Sequence, residues 1–254
     1  MIFKDNLFKD KSFLITGASS GMGAHVALTL NELGAKVIAI ARSEKKLQEQ
    51  KNQAKSPENF ICISKDLSDF EKLDTWTLEL CKEFGGFDGA VLSAGVSLDS
   101  SIRTPNYIQQ AQDLFNINYF GNLQVLKGMV DRRARSRIGS SFVWIASITV
   151  VNPPKGLSLY AGSKAAVIAS MKSIATEIIP QFRINSISPA GVETPMLLDT
   201  GKKSGQNYID ISNLNHPLGV AKPKDITPLI CFLLSEGSSW ITGQDFMLDG
   251  GKLG

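Results

Sequence analysis

Short apolar runs alternate along the chain with longer stretches whose apolar residues recur every three or four positions. The runs at Ser12–Ile15, Lys36–Ala41, Phe60–Ile63, Phe87–Leu92, Phe142–Ala146, Phe182–Ser188 and Gln244–Leu248 read as buried strands. Helices are predicted from the glycine-rich stretch Thr16–Gly23 to about Leu33, from near Ser43, and from near Ser68 to about Phe84. Further helices are predicted over about Pro105–Phe115, Asn116–Arg135, Leu157–Ile179 and Pro223–Ser235. Seven strands alternating with helices predict an α/β fold: a doubly wound, seven-stranded parallel sheet with helices on both faces, in a single domain. Met196 to about Pro217 has few periodic apolar residues, which predicts a cover over a functional site.

With 254 residues and 43% hydrophobic content, the chain can bury one large core. Its net charge of +3, with no long basic stripe carrying interleaved aromatics, points away from nucleic acid. The basic run Arg132-Arg133-Ala134-Arg135-Ser136-Arg137 reads as a solvated helix end, where cations suit the helix dipole. Cys62, Cys81 and Cys231 lack metal-ligand spacing and read as buried free thiols of a reducing compartment; no metal is expected. The amino terminus is too charged for a signal peptide, and the longest apolar window, Ile226–Leu234, is too short for a bilayer. The expected location is cytoplasmic, with no membrane partner.

Candidate chemistry gathers at strand ends. The first strand runs into Thr16-Gly17-Ala18-Ser19-Ser20-Gly21-Met22-Gly23, where glycines spaced G-x-x-x-G-x-G let a pyrophosphate approach the backbone and rest on a helix N-terminus. With the second strand completed within about 30 residues, this is a Rossmann-type dinucleotide-binding unit. That strand ends in Ala41-Arg42-Ser43. An acid there would bind a free ribose 2′-hydroxyl and an arginine a 2′-phosphate; the alternative is an exposed loop cation. Asp66 suits the adenine amino group or a cap for the helix near Ser68, two compatible roles. Ser93, Ala94 and Gly95 are small enough for a cofactor to lie close. Asn118, between Ile117 and Tyr119, calls for a specific partner or a buried structural hydrogen bond.

The stretch from Ser147 to Lys164 holds the reactive groups. Ser147 follows the fifth strand and faces the usual ligand crevice of an open sheet. Tyr160-x-x-x-Lys164, if helical, sets an ammonium beside a phenol, and a nearby positive charge lowers a phenol's pKa from about 10. On an arbitrary helix this spacing is a weak signal, so the surrounding motifs must carry it.

In order and spacing, these motifs resemble the short-chain dehydrogenase/reductase family over essentially the whole chain, and within it the 3-oxoacyl-[acyl-carrier-protein] reductase-like members. The resemblance implies a catalytic tetrad of Asn118, Ser147, Tyr160 and Lys164. It implies cofactor contacts from Gly17, Ser19, Ser20, Gly21, Met22 and Gly23 in the loop, and from Arg42, Asp66 and Leu67 beyond it. Ser93, Ala94, Gly95, Tyr160, Lys164, Pro189, Val192 and Thr194 complete the implied cofactor set. Tyr160 is expected to exchange a proton with a carbonyl or alcohol oxygen while Ser147 hydrogen-bonds that oxygen. Lys164 is expected to lower the phenol's pKa and hold ribose hydroxyls, and Asn118 to keep a water in line with Lys164. Ile241-Thr242-Gly243-Gln244 matches the family's C-terminal signature. Two departures stand out: Leu92-Ser93-Ala94-Gly95 replaces N-N-A-G, and Pro189-Ala190 replaces P-G, where the extra methyl is expected to narrow the nicotinamide space.

The activity so implied is hydride transfer between a nicotinamide cofactor and a ketone or secondary alcohol. NADP(H) is favoured through Arg42, with NAD(H) as the alternative; Ser20 stands where many NADP-dependent relatives carry a second basic residue. Thr176-Glu177 stands where carrier-protein reductases often carry Arg-Glu, and Lys202, Lys203, Gln206, Asn207, Asn213 and Asn215 make the cover polar. A small polar or sugar-like carbonyl substrate is therefore expected ahead of an acyl-carrier substrate. The alternative of another class is a non-catalytic cofactor-binding regulator or scaffold. Neither His25 nor His216 receives a catalytic role. The helix over Leu157–Ile179 carries Val167, Ile168, Met171 and Ile174 beyond the apparent needs of its sheet, which with the Asn116–Arg135 helix predicts a homotetramer.

Overall fold

Residues 3–204 and 216–253 are described in a computed structural model of the chain. Ser12–Thr16 (β1), Lys36–Ala41 (β2), Phe60–Ser64 (β3), Gly89–Leu92 (β4), Ser140–Ile145 (β5), Phe182–Pro189 (β6) and Asp245–Leu248 (β7) form one sheet. Its order is β3-β2-β1-β4-β5-β6-β7, and all neighbours are parallel. The helices among the described residues are Gly21–Glu32 (α1), Glu44–Lys51 (α2), Leu73–Phe84 (α3), Tyr107–Phe115 (α4), Asn122–Val130 (α5), Ser158–Ile178 (α6), Pro195–Ser204 (α7) and Pro223–Leu234 (α8).

Strand order reverses between β1 and β4, which opens a crevice beyond their carboxyl ends. Alternation along the strands feeds two cores. Phe13 and Ile15 join Val26 and Leu30 of α1 and Ile226 and Ile230 of α8 on one face. Leu14 joins Val125 and Met129 of α5, Trp144 of β5, and Val167 and Met171 of α6 on the other. All five side chains of β1 are buried, as a central strand covered on both faces requires.

Several predicted boundaries move, each for a local reason. The helix expected near Ser68 begins at Leu73. Asp66 Oδ1 accepts from Ser68 N and Oγ at 2.9 and 2.8 Å, closing a turn, and Lys72 enters α3 left-handed at φ 60°. Asp66 thus holds a turn and does not cap α3. β4 begins at Gly89 because Asp88 turns its carboxylate to Ser12 N, at 2.8 Å. The helix expected over Asn116–Arg135 is interrupted by a π-helical turn at Asn116–Gly121 and stops at Val130. The basic run is therefore not a helix end. Arg133 grips Asp131 through Nε and Nη2 at 2.9 and 2.8 Å, and Arg137 reaches buried Asp88 at 2.7 Å.

The expected cover is helical over its first part, where Pro195 supplies a preformed φ at the start of α7. Gln206, Asn207, Asn213 and Asn215 lie outside the described residues, as do the side chains of Lys202 and Lys203. On α6, Val167 and Met171 are fully buried in the molecule's own core, and Ile168 and Ile174 pack against it half-buried. The apolar face assigned to an oligomer partner is thus taken up largely by the protein's own sheet. Cys81 and Cys231 are buried free thiols, whereas Cys62 is half-buried. No helix among the described residues is long and apolar enough to cross a membrane.

Candidate active site

The site begins where β1 meets β4. Thr16 Oγ1 accepts from Ser93 N at 2.9 Å and Ala94 N at 3.0 Å, and donates to Asn122 Oδ1 at 2.8 Å. Asn122 Nδ2 donates to Ala94 O at 2.8 Å and Ile117 O at 3.1 Å, so the two strand ends and the start of α5 are tied together. Gly17 turns away from this knot at φ 68°, where a side chain would press within 2.9 Å of the Ala94 backbone. At Gly23 a side chain would strike the Gly17 carbonyl, so this glycine lets α1 pack down on the turn. Ser20 caps α1 in extended conformation without a side-chain hydrogen bond, leaving the first-turn amides free to meet a phosphate.

A cleft of about 290 Å³ opens over this turn. Every predicted residue of the glycine loop lines it, as do Arg42, Asp66, Leu67, Ser93, Ala94, Gly95 and Thr194. Lys46 and Lys65, which the sequence reading missed, line it too and give it three cations with Arg42. Lys46 follows Arg42 by one turn, on the first turn of α2 behind the Ser43 cap; that spacing was the available signal. Partial burial would raise the Asp66 pKa, but hydrogen bonds from Ser68 and the charges of Arg42 and Lys65 outweigh it and hold the carboxyl below its ordinary value.

A second cleft, about 180 Å³, adjoins the first, with Ser93, Gly95 and Thr194 in both walls. Ser147, Tyr160, Lys164, Pro189 and Val192 line it. Ser147 leaves β5 extended and starts a short 3-10 turn, its Oγ accepting from Thr149 N at 3.3 Å. Tyr160 lies in the first turn of α6, and Lys164 follows one turn later with Nζ 5.8 Å from the phenol ring centroid. Lys164 Nζ donates to Ile145 O at 2.7 Å, and burial pulls its pKa down to about 8. Burial pushes the Tyr160 phenol above its ordinary value, partly opposed by a hydrogen bond with Ser147. The phenol is thus raised where a lowering by Lys164 was expected: burial is the largest influence on it, and the Lys164 ammonium is directed at a backbone carbonyl.

Asn118 is fully buried in the π-helical turn and lines neither cleft. Its Oδ1 accepts from Val96 N at 2.8 Å, and its Nδ2 donates to Val96 O and Ser163 Oγ, both at 3.0 Å. Ser163 Oγ in turn donates to Tyr160 O at 2.7 Å. The side-chain amide assigned to a water line is therefore committed to the segment after β4 and to α6. A side chain on Gly95 would come within 3.2 Å of Asn118 Oδ1 and 3.5 Å of Lys164 Nζ, so there is little room for one here.

The two histidines separate. His25 bonds Thr227 Oγ1 through Nδ1 at 2.8 Å and lines neither cleft. His216 is buried in the wall of the second cleft, its Nε2 accepting from Gly191 N at 3.2 Å. Ala190 lines that cleft as well.

A family model described as enoyl-(acyl carrier protein) reductase matches residues 17–252. The chain is 30% identical over 244 residues to a 3-oxoacyl-[acyl-carrier-protein] reductase of Thermotoga maritima, covering 95% of this chain and 97% of that one. It belongs to the short-chain dehydrogenase/reductase family. Among solved structures, aldohexose dehydrogenase of Thermoplasma acidophilum superposes with a TM-score of 0.87 at 27% identity, covering 98% of this chain and 96% of that one. L-sorbose reductase of Gluconobacter frateurii, solved with NADPH and L-sorbose, also gives 0.87 at 27% identity, with coverages of 98% and 99%.

As a member of this family, the protein is an NAD(P)-dependent oxidoreductase acting on CH–OH or C=O groups. A dinucleotide fits the first cleft: side chains on Gly17 and Gly23 would strike backbone, and the α1 amides have no side-chain cap.

Proposed function

We propose that the protein reduces small polar ketones, sugar-like ones foremost, with a preference for NADPH. The observation that carries this reading is the joining of two clefts. One is walled by Arg42, Lys46 and Lys65 with no acid at the end of β2; the other is small and holds Ser147, Tyr160 and Lys164. The three cations suit a 2′-phosphate better than a free hydroxyl. The sugar-handling names of two of the relatives support the substrate class.

A bound nicotinamide supplies the hydride to the carbonyl carbon, or takes it from the alcohol carbon. Tyr160 gives its phenolic proton to the carbonyl oxygen in reduction and recovers a proton from the alcohol in reverse. An ordinary phenol is already protonated at neutral pH and can act as the donor; burial raises it further, so the transfer depends on the charge that develops on the substrate oxygen. Ser147, within hydrogen-bonding reach of the phenol, also meets the substrate oxygen and offsets the charge developing there. Lys164, held by Ile145 O, has two further N–H bonds for ribose hydroxyls. Asn118 acts as a positioning residue that ties the floor at Val96 to α6.

The second reading, a 3-oxoacyl-carrier-protein reductase, is favoured by the Thermotoga relative. NADPH oxidation measured with L-sorbose and other ketoses against acetoacetyl-carrier protein decides the order; a carrier substrate turned over tenfold more efficiently reverses it. A homotetramer fits the same reading, with Trp240 (99% exposed), in a turn ahead of β7, and Met247, on the edge strand β7 itself, offering apolar surface to a second copy. Light scattering that reports a monomer at micromolar concentration removes it.

A further inference from the structure

The second cleft carries polar groups that the chemistry above does not use. Lys252 and His216 both line it, and among the described residues no carboxylate does. Lys252 is half-buried and forms no ion pair among those residues. A partly desolvated ammonium gains when an anion enters beside it.

The backbone that carries these groups is held in place before any ligand arrives. Asp249 accepts from Gly251 N through Oδ1 and from Leu253 N through Oδ2, both at 3.0 Å, and Lys252 N donates to Asp249 O at 3.2 Å. Gly250 and Gly251, at φ 60° and 83°, make the tight turn that presents Lys252. Leu218 N donates to Gly250 O at 3.2 Å, which braces this turn against the segment carrying His216. His216 is fixed from its other side by Gly191 N.

We propose that Lys252, with His216 beside it, forms an anion subsite, so that the preferred ketone carries a carboxylate or phosphate ester. The inference rests on the reading of this cleft as the carbonyl site. A cleft of about 180 Å³ in which Lys252 is the cation left over once Lys164 serves the cofactor selects a small anionic substrate over a neutral ketose of the same length.

Isothermal titration of the full chain saturated with NADPH tests this, using D-glucitol, D-gluconate and D-glucitol 6-phosphate. An alcohol cannot react with the reduced cofactor, so binding is read without turnover, and the two anions separate carboxylate from phosphate. At least one anion is expected to bind about tenfold more tightly than glucitol, with the advantage falling at high salt. Lys252→Gln should cut the advantage below about twofold, and Lys252→Arg should keep it. Equal binding of all three compounds, no binding by either anion, or an advantage that survives Lys252→Gln overturns the subsite. Anion binding through Lys252 in a protein that reduces no ketone leaves the subsite standing and removes the reductase reading.

Discussion

Lys164 donates its ammonium to the carbonyl of Ile145 at 2.7 Å, and Ile145 is the last residue of the strand that leads to Ser147. One hydrogen bond therefore sets the start of α6, with Tyr160, against the end of β5. It also supplies an acceptor for a charge that burial disfavours.

That charge carries a stability cost with a defined pH window. Burial lowers the folded pKa of Lys164 to about 8, against about 10.4 for an unfolded lysine. Between those values the unfolded chain binds more protons, so stability rises with pH, and the buried charge destabilises the fold below the window. Lys164→Met should abolish turnover yet stabilise the cofactor-free protein at pH 7 by up to about 3 kcal/mol. Its advantage should close as pH rises from about 8 to about 10.4. Thermal unfolding of both proteins across pH measures this, and a variant less stable than the wild type at pH 7 contradicts it.

Tyr160→Phe keeps the ring and removes the proton donor. Turnover should fall at least a thousandfold, in the range expected for losing a positioned acid, while NADPH affinity changes little. Steady-state rates and fluorescence titration of NADPH give the two halves, and a variant retaining most of its activity would place the acid elsewhere.

The cation set predicts a graded response. Arg42→Ala should weaken NADPH by roughly tenfold to a hundredfold and leave NADH nearly unchanged. Lys46→Ala and Lys65→Ala should each give a smaller loss that shrinks at high salt, since α2's Lys46 is exposed and Lys65 half-buried. Tighter binding of NADH than NADPH by the wild type would overturn the preference.

The legible parts of the sequence were those where pattern and place coincide. Lys36–Ala41 forms β2 as predicted because a fully buried parallel strand needs an unbroken apolar run. The spacing of Tyr160 and Lys164 survives because four residues make one helical turn. The illegible parts depend on contacts distant in sequence. Nothing local shows that Arg137 turns to Asp88 and draws the basic run out of a helix, or that Asn118 gives its amide to Val96. His216 reads as a cover residue until the fold brings Gly191 to it.

Asn122 is the clearest example, a fully buried amide that the sequence reading passed over. It joins Thr16, Ala94 and Ile117 by three hydrogen bonds directly beneath the turn at Gly17. Asn122→Leu removes all three and leaves the Ala94 and Ile117 carbonyls short of a donor, at roughly 1–3 kcal/mol for each buried group stranded. The expected result is a loss of about 2–4 kcal/mol in stability, together with a KM for NADPH raised more than kcat is lowered, because Ala94 and Gly17 wall the cofactor cleft and Tyr160 does not depend on them. Thr16→Val attacks the same knot from the other end, so the double variant should cost less than the sum of the singles by at least about 1 kcal/mol. Urea unfolding of the four proteins closes this cycle. Strict additivity would show that Thr16 and Asn122 act separately and that the turn is positioned by the glycines alone.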